Sequence, residues 1–142
     1  MTDAKRARRV RPIIDSWAEF LGISHTWEIK FGFTDELGSV ISGGEAAATI
    51  AFQHPYRQAI IQFSRTQVDR FSNDDLESCI LHELIHIIVE EVNGPIKVLI
   101  GDDGSVYSEL HNHIESLVDA LTRIILRIDT AKGRKGVKFG SY

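Results

Sequence analysis

SNDDLESCILHELIHIIVEE, residues 72–91, is the stretch from which the fold of this chain can be predicted. Ser72 can cap a helix, and Asp75 follows three residues later, near the positive end of the helix dipole. The residues after Asp75 are apolar on nearly every side, which is typical of a buried helix. We expect this helix to end at about Glu91, before Asn93-Gly94-Pro95.

The centre of this helix reads His82-Glu83-Leu84-Ile85-His86. Histidines four residues apart lie one turn from each other on the same helix face, where two imidazoles can bind one zinc ion. Glu83 lies about 100° further round the helix, where it can reach a water molecule on the metal but is poorly placed as a ligand. Burying these groups in an apolar helix is costly without partners, and zinc with its water would supply them. The pattern therefore predicts His82 and His86 as zinc ligands and Glu83 as a catalytic base; the alternative is two core histidines that flank a glutamate by chance.

A catalytic zinc usually takes three protein ligands, and the last predicted helix offers five candidates for the third: Glu109, His111, His113, Glu115 and Asp119. Glu115 and Asp119 lie four residues apart on one helix face, so one could bind zinc while the other holds the free nitrogen of a ligand histidine. His111, one turn before Glu115, could instead be the ligand or a hydrogen-bond donor to the transition state. His113 points about 160° away from Glu115 and is expected on the surface.

The pair of motifs, HELIH at 82–86 followed by Glu115-x-x-x-Asp119, resembles the gluzincin branch of zinc metallopeptidases, to which thermolysin belongs. This resemblance implies that Glu83 is the general base, that Glu115 is the third zinc ligand and that Asp119 orients His82. Residues 27–126 also resemble the short zincin-like metallopeptidases that phages and prophages encode. That likeness implies a minimal zincin-like domain with zinc-dependent peptidase activity, in particular endopeptidase activity.

The rest of the sequence predicts one α+β domain over residues 1–142, with a small, mostly antiparallel sheet between an opening helix and two C-terminal helices. Pro12 also allows the opening helix to begin near Arg11. The predicted elements are a helix at Asp3–Leu21, strands at Trp27–Phe33, Ala46–Phe52 and Gln58–Phe63, a loop at 38–44, a hairpin turn at 54–57, the helix at 72–91, a loop at 93–108 with a short strand at 97–100, and a helix at Glu109–Ile128.

A peptide substrate is expected to lie along a sheet edge, where it gains main-chain hydrogen bonds by strand addition. In zincins the edge strand generally lies shortly before the active helix, and the resemblance therefore points to Glu45–Phe52, which starts with small side chains. A donor must also stabilise the oxyanion that develops during hydrolysis. Tyr107, His111 and Tyr56 are the candidates for that role.

Several other classes of protein fit the sequence poorly. No apolar run is long enough to cross a bilayer, no signal peptide opens the chain, and a single cysteine rules out an internal disulfide, so a cytoplasmic protein is expected. The basic ends at about 1–9 and 131–142 lack stacking aromatics or a reading helix, which favours solvated ends over nucleic-acid binding. Cys79 is expected to be a small apolar residue, because three ligands on one helix cannot surround a tetrahedral ion without strain.

Two rival functions share part of the signal. Peptide deformylase also carries HExxH but takes its third ligand from an upstream EGCLS-like segment, which this sequence lacks. The other rival is a zincin fold kept as a binding or assembly module, with zinc structural or absent. Glu83 argues against the second rival, because a purely structural zinc site does not need that residue. Asp102-Asp103-Gly104-Ser105 lacks the alternating ligands of an EF-hand and predicts a turn.

Overall fold

The computed structural model describes residues 1–37, 46–101 and 104–131. Over these ranges the chain forms four helices and a three-stranded sheet, which confirms the predicted α+β class. The elements are α1 (Asp3–Phe20), β1 (Glu28–Thr34), β2 (Ala48–Gln53), β3 (Gln58–Ser64), α2 (Arg65–Arg70), α3 (Asn73–Ile100) and α4 (Gly104–Ala131). The predicted loop at 38–44, Glu45, the Asp102-Asp103 pair and the basic C-terminal end beyond Ala131 lie outside the described residues.

The sheet has the order β1-β3-β2. Strand β3 is central because its alternate side chains Ala59, Ile61 and Phe63 are all buried, whereas those of β1 and β2 are at most half-buried. β2 pairs antiparallel with β3 through the predicted hairpin, while β1 pairs parallel with β3. The sheet is therefore mixed, and the expectation of a mostly antiparallel sheet is correct for the hairpin only. Among the described strands the expected edge strand does lie at an edge, since β2 has β3 as its one neighbour there.

The hydrophobic core lies where α1 and α3 meet the sheet. Its largest fully buried side chains include Trp17 from α1, Phe63 from β3 and Leu76, Leu81 and Leu84 from α3. Burying each such side chain stabilises the fold by about 1.5–3 kcal/mol. The apolar sides of α3 therefore pack in the core. The polar residues of this helix lie at the edge of the core, on the sides that face α4 and β2.

The start of α3 is fixed by the predicted cap. The Ser72 hydroxyl accepts a hydrogen bond from the backbone N–H of Asp75 at 3.1 Å and donates one to the Asp75 carboxylate at 2.7 Å. Because a serine cap satisfies an otherwise unpaired N–H of the first turn, it defines where the helix begins.

Replacing this cap should lower stability without touching the site. We expect Ser72→Ala to reduce the free energy of unfolding by about 1 kcal/mol, within the roughly 0.5–2 kcal/mol usual for lost caps. Urea denaturation followed by circular dichroism measures the change. Ser24→Ala, at an exposed loop position, is the control and should leave the unfolding midpoint unchanged. Equal midpoints for the two variants would contradict the capping role.

Helix α3 continues well beyond its predicted end. It passes through Pro95 and reaches Ile100, so the predicted stop near Glu91, the loop at 93–108 and the short strand at 97–100 are wrong. A proline inside a helix costs about 3 kcal/mol, which is why the sequence favoured an end before Pro95. Lys97 lies 3.7 Å from the buried Glu90 carboxylate and 6.0 Å from the ring centre of Tyr107 in α4. The last helix correspondingly begins at Gly104, five residues before the predicted Glu109.

Helix α1 begins at Asp3, where the Thr2 side chain accepts from the backbone of Lys5, so Pro12 lies inside the helix and does not start it. Ion pairs hold the first half of α1 in place: Arg6 binds Asp69 through two hydrogen bonds of 2.9 and 2.7 Å. The short helix α2 was not predicted, because Val68 is its one buried residue and leaves no apolar periodicity to detect. Across the described ranges, no helix combines the length and apolar character needed to cross a membrane.

Candidate metal centre

Helices α3 and α4 pack as an antiparallel hairpin, and their contact brings the predicted site residues together. His82 of α3 is level with Asp119 of α4, and His86, one turn later in α3, is level with Glu115, one turn earlier in α4. The four-residue spacing of each pair places both of its members on the facing sides of the hairpin. The site therefore follows from two short local patterns and one helix–helix contact.

Three side chains converge at the centre of this contact. The Nε2 atom of His82 lies 3.3 Å from one carboxylate oxygen of Glu115, and Nε2 of His86 lies 3.0 Å from the other. One ligand atom from each residue lies within 4.8 Å of the other two, the only such cluster found among the described residues. Tetrahedral zinc with ligands at about 2.0–2.2 Å separates its ligand atoms by roughly 3.3 Å, so this donor set fits the ion in spacing and in chemistry.

Asp119 contacts the other side of the His82 ring. Its carboxylate oxygen lies 3.0 Å from Nδ1 of His82, while Nε2 of the same ring faces Glu115. A carboxylate on Nδ1 fixes the tautomer of the ring and turns Nε2 towards a metal. Of the two interpretations of Asp119, a solvated residue or a partner of His82, the geometry favours the partner.

Glu83 is buried beside the cluster, with 7% of its surface exposed. Burial raises the pKa of the Glu83 carboxyl, while the nearby His82 and His86 act to lower it. In the described part of the chain no hydrogen bond or ion pair reaches this carboxylate. A buried carboxyl with a raised pKa and no engaged oxygen is poised to exchange a proton.

Contacts within the cluster also shift the pKa values of Glu115 and His82. Hydrogen bonds from His82 and His86 hold the pKa of the Glu115 carboxyl far below its usual range. Burial acts to lower the pKa of His82, but the hydrogen bond to Glu115 and the neighbouring carboxylates outweigh it and raise that pKa. The carboxylate of Glu115 is therefore ionised and available as an anionic ligand at any physiological pH.

The remaining candidates lie apart from the converging atoms. His111 is exposed one turn before Glu115 and stacks on Tyr107, with ring centres 6.4 Å apart. Tyr56 is exposed in the hairpin turn between β2 and β3. His113 is exposed, as expected. Burial raises the pKa of the Cys79 thiol to about 12, which agrees with its interpretation as a small apolar residue.

Sequence reasoning missed a polar extension of the site along α3. Glu90 is buried one turn after His86, and its carboxylate lies 3.2 Å from Nε2 of His54, at the end of β2. Asn93 is also buried, and its side-chain oxygen has no hydrogen-bond partner among residues 1–37, 46–101 and 104–131. The four-residue repeat His82, His86, Glu90 lay inside the predicted helix and could have revealed Glu90, whereas Asn93 fell beyond the expected helix end and His54 is 36 residues away from Glu90 in sequence.

The contact between His54 and Glu90 places the edge strand beside the site. Strand β2 packs on α3, and its C-terminal end meets that helix one turn beyond His86. Its side chains alternate between half-buried and exposed, as in a strand with one face on the core. The edge of β2 that pairs with no other described strand therefore belongs to a strand packed on the helix that carries the histidines.

The structure thus contains a two-histidine, one-carboxylate donor set, a buried glutamate beside it, a carboxylate behind one histidine and an open strand edge nearby. These features come from the described residues of this chain alone. In comparisons with known proteins, no family model, no curated protein and no solved structure matches the chain.

Proposed function

We propose that this protein is a zinc-dependent metallopeptidase of the gluzincin type that hydrolyses peptide bonds. The observation that carries the proposal is the convergence of His82, His86 and Glu115 within 4.8 Å of one another, with buried Glu83 at their side. A structural site would need the ligands but not a buried, unengaged carboxylate next to them.

The proposed ligands are His82 and His86 through Nε2 and Glu115 through its carboxylate. Three protein ligands leave one tetrahedral position for water or substrate, as catalytic zinc sites do. When bound, zinc supplies a Lewis acid that polarises a peptide carbonyl and makes water acidic enough to attack near neutral pH. Asp119 keeps His82 in the tautomer that offers Nε2 to the ion.

Glu83 is the general base and then the general acid in this proposal. As water attacks the carbonyl carbon, one carboxylate oxygen of Glu83 accepts the proton that the water loses. The same group then delivers that proton to the nitrogen of the departing amine, so Glu83 returns to its ionised form. Its raised pKa suits both steps, because a carboxylate of higher pKa is a stronger base towards the attacking water, and the protonated carboxyl is still acidic enough to pass the proton to the amine nitrogen.

The substrate chain is proposed to bind along the edge of β2 that does not pair with β3. A peptide that adds to this edge gains main-chain hydrogen bonds and runs beside the histidine-bearing helix. Strand addition recognises backbone and not side chains, which suits a peptidase acting on extended segments of protein.

The deciding experiment combines metal content with proteolysis. Purified protein should contain about one zinc per chain and should cleave an unfolded protein such as reduced casein; a chelator should stop cleavage, and added zinc should restore it. Zinc without cleavage would identify the non-catalytic module instead, and absence of both would refute the proposal.

Metal binding should also stabilise the hairpin of α3 and α4, since the ligands come from both helices. At free zinc about 100-fold above its Kd, stability should rise by about 2.7 kcal/mol, which corresponds to an increase in Tm of roughly 10 °C. Differential scanning fluorimetry with and without zinc measures this shift. His86→Ala should abolish the shift and Glu109→Gln, at an exposed position of α4, should keep it; a zinc-independent Tm in the parent protein would contradict the coupling.

A further inference from the structure

A cleft of about 380 Å³ adjoins the candidate metal centre, between the first half of α3 and the second half of α4. His82 and Asp119 belong to both: Nε2 of His82 faces Glu115, whereas Nδ1 faces Asp119, which lines the cleft. The cleft and the metal centre are therefore separated by the width of one imidazole ring. The other lining residues include Phe71, Ser78, Cys79 and Arg123.

The dimensions of the cleft suit a single side chain of a bound peptide. Its volume lies near the lower end of the roughly 300–1,000 Å³ usual for small-molecule sites. Residues of an extended peptide follow one another at about 3.3 Å, so a residue next to the scissile bond can place its side chain one ring width from the metal. The position of the cleft is thus that of a specificity subsite.

The charged groups of the cleft differ in how far they are already engaged. The Asp75 carboxylate is bound by Ser72 at 2.7 Å and lies in the first turn of α3, where the helix dipole offsets its charge. The Asp119 carboxylate is engaged by His82 at 3.0 Å. Arg123, one turn beyond Asp119, takes part in no ion pair or hydrogen bond within the described ranges.

Two of the uncharged lining groups, Thr122 and Cys79, provide neither a charge nor a free hydroxyl to bind an anion. Thr122 is buried, and its hydroxyl donates to the backbone carbonyl of Val118 at 2.8 Å. Cys79 is a neutral thiol, since burial keeps its pKa at about 12. The guanidinium of Arg123 is consequently the cation that the described lining of the cleft offers without a bound partner, and a planar five-donor group of this kind matches a carboxylate.

We propose that this cleft is a subsite for an acidic side chain, glutamate or aspartate, of a peptide held at the metal centre, and that Arg123 recognises the carboxylate. The inference rests on the proposed peptidase function for the nature of the ligand. It goes beyond that function by naming the residue that selects the substrate and the charge that it selects.

The test separates binding from turnover. Three fluorescent peptide pools are identical except for a fixed central Glu, Gln or Lys, and Glu and Gln have nearly the same shape. Their affinities for zinc-loaded Glu83→Gln protein are measured by fluorescence anisotropy, and their cleavage by the parent enzyme is measured in parallel. The Glu pool should bind about 10-fold more tightly than the Gln pool, as expected for one partly exposed charge-assisted contact.

Two substitutions and a control assign this preference to Arg123. Combined with Glu83→Gln, Arg123→Gln should remove the preference for Glu, and Arg123→Glu should shift it towards the Lys pool. Arg127→Gln, one turn further along α4 and outside the cleft, should leave the preference unchanged.

The possible outcomes distinguish the two proposals. Cleavage without a preference for Glu, or a preference that survives Arg123→Gln, overturns the subsite and leaves the peptidase standing. Preferential binding that depends on Arg123, without cleavage by the parent protein, supports the subsite and overturns the peptidase. Neither binding nor cleavage of any pool overturns both.

Discussion

Glu83→Gln is expected to retain about one zinc per chain while kcat/KM for peptide hydrolysis falls about 10²- to 10⁴-fold. Glutamine keeps the size of the buried side chain but cannot accept the proton that water loses. Glu83 lies beside the converging ligand atoms and is not one of them, so metal binding should be preserved. Metal analysis of the purified variant and a quenched-peptide assay give the two quantities.

The matched control for this substitution is Glu109→Gln, an equivalent change at an exposed position of α4. It should leave both metal content and kcat/KM at the level of the parent protein. A Glu83→Gln variant that purified without zinc would make Glu83 a ligand, and one that kept full activity would remove it from the mechanism.

Glu115→Ala is expected to weaken zinc binding by more than about 100-fold, the upper end of what loss of an outer partner costs. The reason is geometric: the two oxygens of Glu115 are the atoms that lie 3.3 and 3.0 Å from the Nε2 atoms of the two histidines. Its removal leaves two imidazoles, which are too few protein ligands for a catalytic zinc site. Competition with a fluorescent zinc chelator measures the affinity.

Three further variants provide comparisons for the zinc affinity of Glu115→Ala. Asp119→Asn should cost about 10- to 100-fold in affinity or activity, because it weakens the hold on Nδ1 of His82. His111→Ala should leave zinc affinity nearly intact, with slower turnover if it donates to the oxyanion. His113→Ala, at a surface position, should change neither quantity. Tight binding by Glu115→Ala together with its loss in His111→Ala would move the third ligand to His111.

The parts of the fold that depend on local spacing could be predicted from the sequence. The Ser72 cap and the shared face of His82 and His86 follow from residues three or four apart, which a helix brings together whatever surrounds it. The demand of zinc for a third ligand gave only a set of candidates on the last helix, and the resemblance to gluzincins singled out Glu115 among them.

The parts that depend on tertiary contacts could not be predicted. Proline at 95 argues for a helix end, yet the helix runs on to Ile100, where Lys97 lies 6.0 Å from the ring centre of Tyr107 in α4. The contact of His54 with Glu90 joins residues that are 36 apart in sequence. The four-residue repeat of His82, His86 and Glu90 was the one local signal of the polar extension; the path of α3 beyond Pro95 and the partner of Glu90 leave no trace in periodicity.

The candidate metal ligands and the strand edge lie on different segments of the chain, and this separation has an evolutionary consequence. Every candidate ligand, and Asp119 behind them, belongs to the segment from α3 to α4, whereas the open edge is supplied by β2, which precedes that segment. The outward positions of the edge, Thr49, Ala51 and Gln53, can therefore drift without altering what holds the ion. Under the proposed function, main-chain recognition by β2 and the metal ligands of the hairpin lie on separate stretches of chain, so the outward surface of one strand could change while the metal site stayed the same, whereas a change in the charge selected by Arg123 would arise on α4 itself.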